Sequence, residues 1–119
     1  MSDLDGERVR ADWESALERA GETIEIGRQT GTSPNTVFRV SCRARVRGYR
    51  PDTLVGAINQ GEMTIKAFYQ DLVDNRFPLP VRNTDHVVIR GQQKQINAVD
   101  NNTGRVGNTQ IFVKIMATG

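Results

Sequence analysis

The run TVFRVSCRARVR, residues 36–47, alternates apolar and polar side chains without a break. Phe38, Val40, Cys42, Ala44 and Val46 share one parity, while Arg39, Ser41, Arg43, Arg45 and Arg47 share the other. Successive side chains of a β-strand point to opposite faces, so this is a long strand with one apolar and one basic face. A one-residue slip in pairing would carry arginines into the core, which pins the register. Such a strand is predicted to be the central one of a small antiparallel barrel or sandwich, with Phe38 as a buried core ring.

The flanking sequence supplies partners for it. In residues 7–20, Val9, Trp13, Ala16, Leu17 and Ala20 form the apolar stripe of an amphipathic helix, with Glu14, Glu18 and Arg19 outside it. Residues 1–6 read as a frayed terminus, Asp5 as a cap and Gly21 as the stop. Trp13 is the expected anchor of this helix on the barrel. Residues 23–28 alternate again, with Ile24 and Ile26 inward, and a turn-rich run containing Gly31, Ser33, Pro34 and Asn35 leads into the central strand. Further strands are predicted over 62–69, 85–90, 94–99 and 110–117, the last with Ile111, Val113 and Ile115 inward. Pro78 and Pro80 exclude a central strand between the first two of these. The expected fold is all-β, a mainly antiparallel barrel or sandwich of about six strands over residues 22–117 with one N-terminal α-helix. The whole chain, 1–119, reads as a single domain. Residues 48–61 form a long loop that nevertheless carries Leu54, Val55 and Ile58, either closing one barrel end or reaching a partner.

Charge is distributed unevenly along the chain. Residues 1–26 hold eight acidic and three basic side chains, whereas residues 27–50 hold six arginines and no acid, within a net charge of only +2. The arginine face (Arg39, Arg43, Arg45, Arg47) therefore suits an acidic surface, either this chain's own helix or a sister subunit, or else nucleic-acid phosphate. Exposed aromatics for base stacking are few, Tyr49 being the clear candidate. Two unlike, complementary surfaces on one chain favour head-to-tail contacts that close into rings.

Catalytic material is sparse. His86 is the only histidine and Cys42 the only cysteine, so a histidine or thiolate zinc site lacks partners. Cys42 reads as a small buried hydrophobe, His86 as a strand-edge residue, and Asp71 with Asp74 as a solvated loop pair. The run beginning at Asp100 lacks the acid that a calcium loop needs at its twelfth position, where Ile111 stands. No catalytic, metal or cofactor-binding residue is assigned, and the chain is not expected to be an enzyme. No apolar run approaches the roughly 20 residues that cross a bilayer, and the acidic start MSDLDGER is unlike a signal peptide. No membrane partner is expected.

Three stretches together resemble the small head–tail joining proteins, the stoppers or head-closure proteins, of tailed bacteriophages and gene transfer agents. They are RVRGYRPDTLVGAINQG at 45–61, FPLPVRNTDHVVIRG at 77–91 and INAVDNNTGRVGNTQIFVKIMA at 96–117, in the family's order. Asn108, where the family's turn usually has a second glycine, and Asn83-Thr84 before Asp85 depart from its pattern. The resemblance implies a virion structural protein: a homo-oligomeric ring in the particle, with a monomer as the alternative when free, between the portal–adaptor end of the capsid and the tail. It would be made in the bacterial cytoplasm, reside in the particle's neck and help retain packaged DNA. By the same resemblance, Tyr49, Arg50, Leu54, Val55, Ile58, Asn59 and Gln60 would form a loop contacting the adaptor or the DNA channel. Tail terminator or tail tube proteins would be the partners on the other side. The alternatives are a tail terminator of the same particle and a stand-alone nucleic-acid-binding barrel.

Overall fold

The structure is a computed structural model and describes residues 2–29, 37–48 and 63–118, with side chains from residue 5 onward. The loop residues Tyr49, Arg50, Leu54, Val55, Ile58, Asn59 and Gln60 lie outside the described residues, as does the turn-rich run at 30–36.

Helix α1 spans Ser2–Ala20, followed by strands β1 (Glu22–Gln29), β2 (Val37–Gly48) and β3 (Met63–Phe68). A short helix α2 (Tyr69–Asp74) precedes β4 (His86–Ile89) and β5 (Gln92–Asp100). A two-residue-per-arm hairpin, β6 (Arg105–Val106) with β7 (Thr109–Gln110), leads into β8 (Phe112–Thr118). Six of the strands close into a barrel in the order β1-β2-β3-β8-β5-β4, with β4 returning to β1 and every pairing antiparallel. The sandwich alternative is thereby excluded.

The register of β2 follows its alternation. Val40, Cys42 and Ala44 are buried, and Val46 packs against the same core from a half-buried position. They meet Ile24 and Ile26 of β1, Ile65 and Ala67 of β3, Val87 and Ile89 of β4, Ile96 of β5, and Val113, Ile115 and Ala117 of β8. Lys94 takes an inward position opposite Val87 and is only 8% exposed. The β4–β5 turn consists of Arg90 and Gly91, both at positive φ (52° and 80°), the two-residue geometry that matches the twist of a hairpin.

Phe38 corrects the expected core. Its parity is inward, yet it is 39% exposed, because it lies one step from the start of β2, beyond the layer that the barrel encloses. Its ring leans on Phe77 at 6.3 Å. Phe38→Ala is accordingly expected to cost about 1–2 kcal/mol in urea unfolding, below the 3–5 kcal/mol of a fully buried ring.

Helix α1 also begins earlier than expected, so residues 2–6 are not a frayed end and Asp5 is not the cap. Gly6 is buried against Thr109 and the Val106 carbonyl, so the β6–β7 hairpin gives the first turn something to pack on. Gly21 ends the helix, its N–H donating to the Leu17 carbonyl at 2.8 Å. The second helix, α2, was not anticipated. Its one buried apolar residue, Leu72, is too little to set a visible period.

Candidate functional site

The outward residues of β2, β3 and β8 form rows running across the three strands. The first row contains Arg43, Phe68 and Phe112, with Phe68 paired to Phe112 and the Arg43 guanidinium 5.3 Å above the Phe68 ring. Helix α1 lies on this row. Trp13 stacks on Phe112 with ring centroids 4.9 Å apart, and Leu17 is 5% exposed.

Arg43 is half-buried and tied to other elements of the chain rather than left on a free basic face. Its backbone N–H donates to Asp71 Oδ2 at 2.8 Å, its Nε to the same oxygen at 2.9 Å and its Nη2 to Asp71 Oδ1 at 2.8 Å. Nη2 also reaches Glu14 Oε2 at 2.8 Å, and Nη1 lies 3.7 Å from Glu18. The acidic helix thus matches this arginine within the same chain. Asp71 is not the solvated loop acid expected from sequence, and Asp74 does not join it but accepts from Gln70 Nε2.

Desolvation alone would raise the Asp71 carboxyl pKa. The side-chain and backbone hydrogen bonds from Arg43, together with its charge, outweigh that and hold it below the usual carboxylate range. The Asp71 bond, then the Glu14 bond, raise the Arg43 pKa above its ordinary value. A lowered folded pKa means that the stabilisation is fully present above the unfolded value, about 4, and is lost as pH falls through the folded one. Asp71→Asn is expected to lower stability by about 2 kcal/mol at pH 7. The same variant should show a shallower loss of stability between pH 5 and pH 2 than the parent, read by urea titrations across that range.

Arg39 is also engaged within the chain. It reaches across β1, its Nε donating to His86 Nε2 at 3.2 Å and its Nη2 to Gln93 Oε1 at 3.4 Å. Gly27 makes that reach possible, since a Cβ there would collide with the His86 ring and the Arg39 stem. Desolvation, then the Arg39 charge, lower the His86 pKa against the opposing pull of Asp85, so the imidazole is neutral at pH 7 and accepts through Nε2. Cys42 is buried, and desolvation followed by the Asp71 charge pushes its thiol up to about 12, which leaves no thiolate at neutral pH. Asp100 spends its oxygens on the N–H groups of Asn102 and Thr103 and on the Thr103 hydroxyl, holding the turn before β6. Among the described residues no group of three His, Cys, Asp or Glu side chains could hold a metal.

Sequence reading missed the buried pair of Arg28 with Asp85. Arg28 Nε and Nη2 donate to the two oxygens of Asp85 at 2.8 Å each, and Nη2 also donates to the Pro80 carbonyl at 2.8 Å. Asp85 accepts in addition from the Arg82 N–H at 2.8 Å, and the Asp85 bond raises the Arg28 pKa. The pair ties the end of β1 to the segment entering β4. An arginine ending one strand and an acid starting another, 57 residues apart, leave no local signal.

The remaining basic residues form the second and third rows. Arg45 pairs with Lys66, Lys66 with Lys114, and Lys114 with Asp100 at the far edge. Arg47 pairs with Thr64, and Thr64 with Met116, whose sulfur accepts from the threonine hydroxyl. Arg45, Arg47, Thr64, Lys66 and Lys114 line a recess of about 250 Å³ beside α1. Of the four arginines on the strand, the structure ties Arg43 to acids of its own chain and turns Arg39, still exposed, toward the neutral His86 and Gln93 across β1. It leaves Arg45 and Arg47 and adds two lysines that only the pairing of strands could reveal. No protein-family model matches the chain, and no curated protein matches its sequence.

Proposed function

We propose that the chain is a virion connector, a ring-forming head-completion or stopper subunit joining the portal–adaptor end of a capsid to the tail. The reading rests on the resemblance of residues 45–61, 77–91 and 96–117 to that family, and one structural observation supports it. Gly48 pairs with Met63, so residues 49–62 are an insertion between two adjacent strands of a closed barrel. The pairings among the described residues are enough to close the barrel. Connections between the strands of a rigid scaffold are where partner contacts are commonly carried.

The test is a particle-producing strain carrying a deletion of the gene. Loss of the chain is expected to give DNA-filled or leaking heads without tails in electron micrographs. A complementing copy lacking residues 52–59 should fold, with parental thermal unfolding, and yet fail to restore tailed particles. Infectious tailed particles in the deletion strain would refute the connector role, and full rescue by the shortened copy would refute the role of the insertion.

A further inference from the structure

Among the described residues, the row of Arg45, Lys66 and Lys114 beside α1 is electrostatically unfavourable as it stands. Like charges directly opposite on neighbouring strands destabilise a sheet, and Arg45, Lys66 and Lys114 occupy three successive strands in register. Lys114 is relieved at one end by Asp100, whose carboxyl pKa it helps to lower after the turn's own hydrogen bonds. Lys66 lies 5.2 Å from the Phe112 ring centroid, a cation–π contact that brings no negative charge. Arg45 and Arg47 are exposed and have no ion pair among the described residues.

The shape of the face matters as much as its charge. Trp13, Ala16, Leu17 and Gly21 wall a groove whose floor is Arg45, Arg47 and Lys66, continuous with the recess between those residues and Lys114. Neighbouring strands lie about 4.8 Å apart and alternate residues of a strand about 6.7 Å apart. The cations therefore spread along and across the strands instead of converging on one small ion. An extended polyanion presents charge in that way.

We propose that this face binds the phosphate backbone of nucleic acid without reading its sequence, with Arg45, Arg47, Lys66 and Lys114 as the phosphate contacts. Backbone contacts of this kind position a polymer and carry no base information. The proposal stands on the purified chain and depends on the connector reading only for the origin of the polymer, which would then be packaged DNA.

The experiment is fluorescence anisotropy of a labelled random-sequence duplex of about 20 base pairs with the full chain, titrated over salt. Three to four phosphate contacts predict a slope of log K against log salt of about −3, since each contact contributes about −0.9. The double variant Lys66→Gln, Lys114→Gln should flatten the slope by about 2 and weaken binding at least tenfold at 50 mM salt. Arg82→Ala, which removes an exposed charge outside the face, should change neither. Removing the two lysines relieves repulsion, so the double variant should unfold no earlier than the parent, and a drop in melting temperature would count against the repulsive row. Equal slopes for parent and double variant would overturn the proposal. So would a double variant that loses self-association in sedimentation while duplex binding is unchanged, because the face would then accept the acidic surface of a second copy.

Discussion

Arg28→Met is expected to lower stability by about 3–5 kcal/mol, because it strands a buried carboxylate. The Asp85 side chain is 1% exposed, and the guanidinium supplies both of its charged hydrogen bonds. Without Arg28 the Arg82 N–H is the one donor left to it among the described residues. The loss extends past the pair, since Arg28 also holds the Pro80 carbonyl and lies 5.2 Å from the Phe77 ring centroid. Those contacts fasten residues 77–85 against the end of β1. The companion variant Arg28→Met, Asp85→Asn removes the stranded charge and keeps an acceptor for Arg82, so it should recover a substantial part of the loss. Urea unfolding of both variants separates the causes: a double variant no better than the single one would mean that the charge is not what the arginine satisfies.

Phe68→Ala should cost a comparable 3–5 kcal/mol, through a different route. The ring is 1% exposed at the end of β3, where it pairs with Phe112 and lies beneath the Arg43 guanidinium. Both helices depend on this point. Helix α2 begins at the next residue, with the Tyr69 N–H donating to the Ile111 carbonyl at 3.0 Å, and Trp13 of α1 rests on Phe112. A cavity there loosens the row that α1 covers. Trp13 is the only tryptophan, so its emission reports the helix directly and should shift to the red in the variant at temperatures where the barrel stays folded. A loss no larger than that of Phe38→Ala would show that α1 is held by something other than this aromatic layer.

The contrast between Phe68 and Phe38 shows how far alternation carries. Parity correctly separates Val40, Cys42 and Ala44 from Arg39, Ser41 and Arg43, because adjacent residues of a strand cannot share a face. Parity says nothing about where along a strand the enclosed layer ends. Phe38 points inward past that limit, whereas Phe68 is outward by parity and is buried with the Arg43 guanidinium over its ring and Phe112 beside it. Parity likewise groups Arg39, Arg43, Arg45 and Arg47 as equals. Their different fates come from what lies across the strands: His86 and Gln93 for Arg39, Asp71 with Glu14 and Glu18 for Arg43, and two lysines beside Arg45.

Local pattern was sufficient for the antiparallel β class, the six barrel strands, the N-terminal helix and the burial of Cys42, since each follows from spacing within a dozen residues. Closure into a barrel in the order β1-β2-β3-β8-β5-β4, the burial of Asp85 with Arg28, and the joining of Arg45 to Lys66 and Lys114 were decided by tertiary structure alone. Each depends on which distant strand lies alongside. That choice is made by the packing of the whole core, and no short stretch of the chain contains it.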